Sequence, residues 1–145
     1  MIVKFKKLHE KASIPKQGSA GAAGFDLTAV SIKEVEIDGI ISYFEYDTGI
    51  SLDIPPGFVG YLFPRSSISN KGLSLANSVG VIDSDYKGSI KLRMYSSAVS
   101  NEEQYVIGER VGQLIIMPIP DVTFQEVNEL STSKRGKGGF GSTGK

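Results

Sequence analysis

Residues 80–88, Gly-Val-Ile-Asp-Ser-Asp-Tyr-Lys-Gly, place two carboxylates two positions apart, with a tyrosine behind them and a glycine closing the run. In an extended chain such residues share a face, so Asp83 and Asp85 could serve one site. The plainer alternative is a solvated hairpin turn, where Asp and Ser are common. A second chemical stretch runs from 63 to 72, where Arg65 is followed by the hydroxyls of Ser66 and Ser67. A guanidinium, hydroxyls and freed amides at a strand end can cradle phosphate oxygens; a strand-to-loop junction with an arginine ion pair would read the same. The last 15 residues hold Arg135, Lys137, Ser142, Thr143 and five glycines around one large apolar residue, Phe140. That is phosphate-binding chemistry without the fixed spacing of a Walker loop, and an exposed ring there could stack on a base. Asp26 opens a strand-like run as a single acid, or as a surface aspartate after a turn. Glu109-Arg110 reads as a strand entry with an ion pair, and Gln113 stands out as an amide within an otherwise apolar strand.

Composition narrows what these residues can do. Cysteine is absent, which excludes a disulfide framework, a zinc-thiolate site and a cysteine nucleophile. The one histidine, His9, lies near a terminus and reads as a surface residue, so histidine chemistry has no natural centre. Sixteen Lys and Arg balance sixteen Asp and Glu, and basic residues do not interleave with aromatics. A nucleic-acid-binding barrel is therefore disfavoured. No apolar run approaches the roughly 20 residues that span a bilayer, and no charged-then-apolar leader opens the sequence. The expectation is an intracellular soluble protein, cytoplasmic by default or nuclear in a eukaryotic or viral setting, with no membrane and no nucleic-acid partner.

The elements that must position these groups are short and alternating. Apolar runs at 2–6, 25–30, 32–37, 49–54, 58–63, 90–95 and 114–119 are rich in Val, Ile, Phe and Tyr and are separated by Gly, Pro, Asn, Asp and Ser. No window carries a sustained helical period, and only a helical turn fits near 66–71. At 145 residues the chain is one domain, and the pattern predicts an all-β barrel or sandwich. The segment 131–145 lacks the apolar residues to order itself and is expected to be a flexible arm.

In order, the segments AGFDL (23–27), PRSS (64–67), NSVGVIDSDYKG (77–88), ERVGQL (109–114) and RGKGGFGSTG (135–144) resemble the five motifs of the trimeric dUTPase family. The resemblance implies a distorted jelly-roll β-barrel over residues 1–130 and a flexible glycine-rich arm over 131–145 that closes on the nucleotide. It implies hydrolysis of dUTP to dUMP and pyrophosphate, which keeps uracil out of DNA and supplies dUMP for dTMP synthesis. Asp83 would activate the water that attacks the α-phosphate. Tyr86 would pack beneath the deoxyribose, and Asn77, Gly80 and the backbone up to Lys91 would form the uracil pocket. Arg65, Ser66, the amide of Ser67 and Gln113 would hold the phosphates. Arg135, Gly141, Ser142 and Thr143 would close on the γ-phosphate, with Phe140 over uracil. Mg2+ would bridge the triphosphate, contacting Asp26 only through water, and three copies of the chain would share each active site.

Three features depart from the family pattern. Ser67 stands where most members have glycine, and Gly112 replaces a more usual alanine, a packing detail. The stretch 31–47 is longer than usual, with Tyr43, Phe44 and Tyr46 close together; it reads as an extra hairpin on the barrel, with a protein-partner surface as the other option. Two further functions accompany the main one. A dCTP deaminase-like enzyme shares the fold, but its required glutamate falls at Arg93 here. A nucleotide-responsive protein could use 31–47 to engage a partner, although an intact Asp83 argues against a pure regulator.

Overall fold

The computed structural model describes residues 1–96 and 104–139. The strands are β1 (Lys4–Lys7), β2 (Lys16–Gln17), β3 (Phe25–Thr28), β4 (Ser31–Ile37), β5 (Ile40–Asp47), β6 (Ile50–Asp53), β7 (Phe58–Phe63), β8 (Leu73–Leu75), β9 (Gly80–Ile82), β10 (Lys91–Ser96) and β11 (Arg110–Pro118). A 3-10 helix, Ser66–Lys71, sits between β7 and β8, where the sequence predicts a helical turn. The strands form a two-stranded sheet β1-β6, a four-stranded sheet β4-β5-β10-β8 and a five-stranded sheet β2-β3-β11-β7-β9. All described pairings are antiparallel. The all-β expectation holds. No described helix is long and apolar enough to cross a membrane.

The sheets close over one core containing Leu27, Phe44, Tyr46, Ile50, Leu92, Met94, Val111 and Leu114. The period-2 rule accounts for this selection: on β10, Leu92 and Met94 point inward while Lys91, Arg93 and Tyr95 point out. That same alternation supplies the outward side chains of the site. Thr48 joins the layers, with its amide and hydroxyl both bonded to the Ile90 carbonyl.

The 31–47 stretch is a hairpin, but it is built into the barrel. Asp38 and Gly39 take positive φ values of 53° and 78°, a two-residue turn that matches strand twist. β5 then pairs with β10 from Asp47↔Lys91 to Phe44↔Met94, which puts Phe44 and Tyr46 in the core. The aromatics that suggested a surface are therefore mostly internal, and Ile37 and Ile40 are the exposed apolar residues at the tip.

Two short strands, β8 and β9, escape the sequence pattern because three residues are too few to show a period. At the other end, β11 stops at Pro118, and residues 119–137 are exposed throughout, with Phe124 95% exposed. Pro118 and Pro120 offer no ladder donors, so the chain leaves the sheet about a dozen residues before the composition changes at 131.

Candidate active site

β9 delivers Asp83 to a turn. Ile82 ends the strand, the Tyr86 amide donates to the Asp83 carbonyl at 3.2 Å, and the chain bends. This bend separates the two acids: Asp83 lines a cleft of about 560 Å³ and Asp85 does not. Asn77, Tyr86 and Lys91 line the same cleft. The Tyr86 hydroxyl donates to the Ser89 carbonyl at 3.0 Å, which lays the ring along the hairpin. A side chain at Gly88 would overlap that hydroxyl, so glycine is required there. Gly80 is buried against Leu62, with which it is paired, and has no room for a Cβ. Among the described residues no cation pairs with Asp83.

The far wall of the cleft comes from residues that sequence reasoning did not single out. Tyr43 and Glu45 of β5 face Arg93 of β10. Glu45, only 11% exposed, receives Lys91 at 2.8 Å and Arg93 at 2.9 Å, and the Arg93 guanidinium lies 4.9 Å from the Tyr43 ring centre. The hydrogen bond from Lys91, aided by Arg93, holds the Glu45 carboxyl below its ordinary range against the opposing effect of burial. An anionic, doubly paired glutamate is poorly suited to shuttle protons, so it does not replace the deaminase glutamate missing at 93.

A second cluster forms where β3, the exit of β7 and β11 meet. Asp26 accepts Arg65 Nε at 3.0 Å and Arg110 Nη1 at 2.8 Å. Arg65 also donates to Ser67 Oγ at 3.4 Å, and Gln113 Nε2 donates to the Pro64 carbonyl at 3.0 Å. With Ser66 and Gly24, these groups surround an open pocket of about 340 Å³. A Cβ at Gly24 would overlap the Gln113 amide oxygen, so this glycine lets Gln113 lie across β3. Both ion pairs allowed by the sequence are present, at Arg65 and at the entry of β11, where Lys71 meets Glu109 at 3.2 Å. Arg110 was not foreseen as a site residue. Only the β11–β3 register, Gln113↔Asp26, brings it to Asp26.

The two clusters are apart in one chain. β9 runs antiparallel to β7 with Ile82 opposite Gly60, so Asp83 continues toward the start of β7, whereas Arg65 follows its end at Phe63. Arg135 belongs to neither cluster in this chain: it donates to the Gly138 carbonyl at 2.9 Å in a local turn. Phe140, Gly141, Ser142 and Thr143 lie outside the described residues.

The sequence profile described as dUTPase matches residues 10–144. The chain belongs to the dUTPase family. The deoxyuridine 5'-triphosphate nucleotidohydrolase of Helicobacter hepaticus is 39% identical over 148 residues, covering 99% of this chain and 89% of that protein. The nucleotidohydrolase of Paramecium bursaria Chlorella virus 1 is 44% identical over 144 residues, covering 96% and 95%. The solved structure of the Staphylococcus bacteriophage 80alpha dUTPase with dUpNHpp has a TM-score of 0.80 at 26% identity, covering 99% of this chain and 98% of that one. The described sheets are thus those of a dUTPase jelly roll. Within that fold, two departures have local explanations. An alanine at 112 would drive its Cβ into the Leu92 side chain, so glycine is the fitting residue in this chain. Ser67 brings a hydroxyl that Arg65 engages.

Proposed function

We propose that this chain hydrolyses dUTP to dUMP and pyrophosphate, with Asp83 as the base that orients and activates the attacking water. The observation that supports this reading is the Asp83 carboxylate itself, exposed and without a cation partner among the described residues, at the rim of a cleft that also holds Asn77 and Tyr86. A carboxylate placed beside water in this way can act as a general base. Asn77 and the backbone near Lys91 read the uracil edge, and Tyr86 supports the deoxyribose. Arg65, Ser66, the Ser67 amide and Gln113 bind phosphate oxygens, a reading supported by the convergence of Arg65, Ser66 and Gln113 around one open pocket. The arm 131–145 brings Arg135, Phe140, Gly141, Ser142 and Thr143 over the bound nucleotide.

In one chain the two clusters lie toward opposite ends of β7, which keeps Asp83 away from an α-phosphate held by Arg65. A trimer resolves this by letting the nucleoside cleft of one copy face the phosphate cluster of another. Magnesium fits the donor set in one manner. Among the described residues no three acids or histidines converge, and Asp26 is engaged by two arginines. The ion would therefore be held by the triphosphate and its own waters, with Asp26 reaching it through water. When bound, it supplies charge neutralisation of the phosphates and of the departing pyrophosphate.

The test is pyrophosphate release from dUTP in the presence of Mg2+, for the parent chain and for Asp83→Asn. The parent should turn over and the variant should lose about a thousandfold in kcat at an unchanged melting temperature. Equal rates would overturn the role of Asp83, and an inactive parent would overturn the activity.

A further inference from the structure

The 3-10 helix Ser66–Lys71 has no fully buried residue, and only Ile68 packs partly against the core. It is nevertheless fastened at both ends to the start of β11. At its entry, Arg65 binds Asp26, which also holds Arg110. At its exit, Lys71 Nζ lies 3.3 and 3.2 Å from the two carboxylate oxygens of Glu109. The same ammonium donates to the Gln104 carbonyl at 3.3 Å and sits 5.1 Å from the Tyr105 ring centre. Glu109 is itself fixed, because its Oε2 accepts the Val106 amide at 2.8 Å. Asp26 thus holds the entry of one short helix and Glu109 its exit, and Arg110, next to Glu109, shares Asp26 with Arg65.

We infer that the Lys71–Glu109 pair is a positioning device for the phosphate cluster, holding the 3-10 helix so that Arg65 and Ser66 stay aligned with Gln113. This rests on the phosphate-binding reading of that cluster. The pair is partly exposed, at 24% for Lys71 and 40% for Glu109, so solvent screens it and it adds little to stability. Its effect falls on geometry: a helix that has only Ile68 against the core shifts when a fastening at one end is cut, and small displacements of binding groups carry large kinetic penalties. Gly72, with φ of 56°, turns the chain into β8 immediately after Lys71.

The experiment compares Lys71→Met, Glu109→Gln, the double variant and Lys71→Arg with the parent. Calorimetric affinities for pyrophosphate and for deoxyuridine are read alongside dUTP kinetics and melting curves. Each single neutralisation should weaken pyrophosphate binding and raise KM about tenfold. Deoxyuridine affinity and melting temperature should stay near the parent's. The double variant should be no worse than either single, and Lys71→Arg should keep most of the parent's behaviour. Unchanged pyrophosphate affinity, a parallel loss of deoxyuridine binding, or additive losses in the double variant would each overturn the proposal. An inactive parent that still binds pyrophosphate would overturn the dUTP-hydrolysing reading alone, because the pyrophosphate measurements decide the role of the pair independently.

Discussion

Asp83 and Asp26 are both single carboxylates at strand ends, yet the molecule treats them in opposite ways. Asp83 follows a three-residue strand into a turn, faces a cleft and has no cation partner among the described residues. Asp26 is mostly shielded and ties together two arginines from two other segments. The difference is one of use. A carboxylate without a cation partner keeps its lone pairs available to water, as the proposed base requires, whereas one spent on Arg65 and Arg110 holds two guanidinium groups in place, as the proposed phosphate site requires. The surrounding residues follow suit. The cleft lined by Asp83 rests on the fixed registers of β5 and β10, and the Asp26 cluster rests on charge pairs and on the missing side chain of Gly24.

The largest effect that would sharpen this contrast is complementation. Asp83→Asn and Arg65→Ala should each be nearly inactive alone. Co-assembled in equal amounts, they should recover about a quarter of parental activity if each site draws one cluster from each of two copies. Pyrophosphate release from the mixed, repurified oligomer measures this, and no recovery would mean that both clusters act within one chain. A smaller effect is expected at Asp26. Asp26→Asn should raise KM about tenfold and leave kcat within about twofold, because it loosens two arginines without touching the base. A thousandfold fall in kcat there would erase the distinction between the two acids.

The smallest effect concerns Glu45 at the wall of the cleft. Its folded pKa is lowered from 4.5, chiefly by the Lys91 hydrogen bond. A lowered carboxylate stabilises the fold fully above its unfolded value and loses that contribution as pH falls through the folded one. The parent should therefore melt about 3 °C above Glu45→Gln at pH 7, and this gap should close as pH falls below about 4. A gap that persists in acid would mean that Glu45 acts through packing.

The grouping of some candidates was legible residue by residue. Asp83 and Tyr86 belong to one short motif and line one cleft, Arg65, Ser66 and Gln113 belong to two others and line a second pocket, and the helical turn expected near 66–71 is present. Arg110, Tyr43 and Glu45 were not legible. Each becomes part of a site only through strand pairing, by Gln113↔Asp26 for Arg110 and by Arg93↔Glu45 for the cleft wall. The aromatic run at 43–46 reads as a hairpin on the barrel, but its place in the core was not legible for the same reason. Its period-2 alternation says that Phe44 and Tyr46 share a face, but not that β10 will cover that face with Leu92 and Met94.

By itself, then, the sequence determined the class of chemistry and of fold. The lack of cysteine, a lone peripheral histidine and alternating strands separated by turns leave carboxylate and backbone chemistry on a β scaffold. Only the tertiary structure decided which acid stays free and which is spent, because a carboxylate's role depends on the cations that distant strands bring within about 3 Å, and that proximity is set by register rather than by order along the chain.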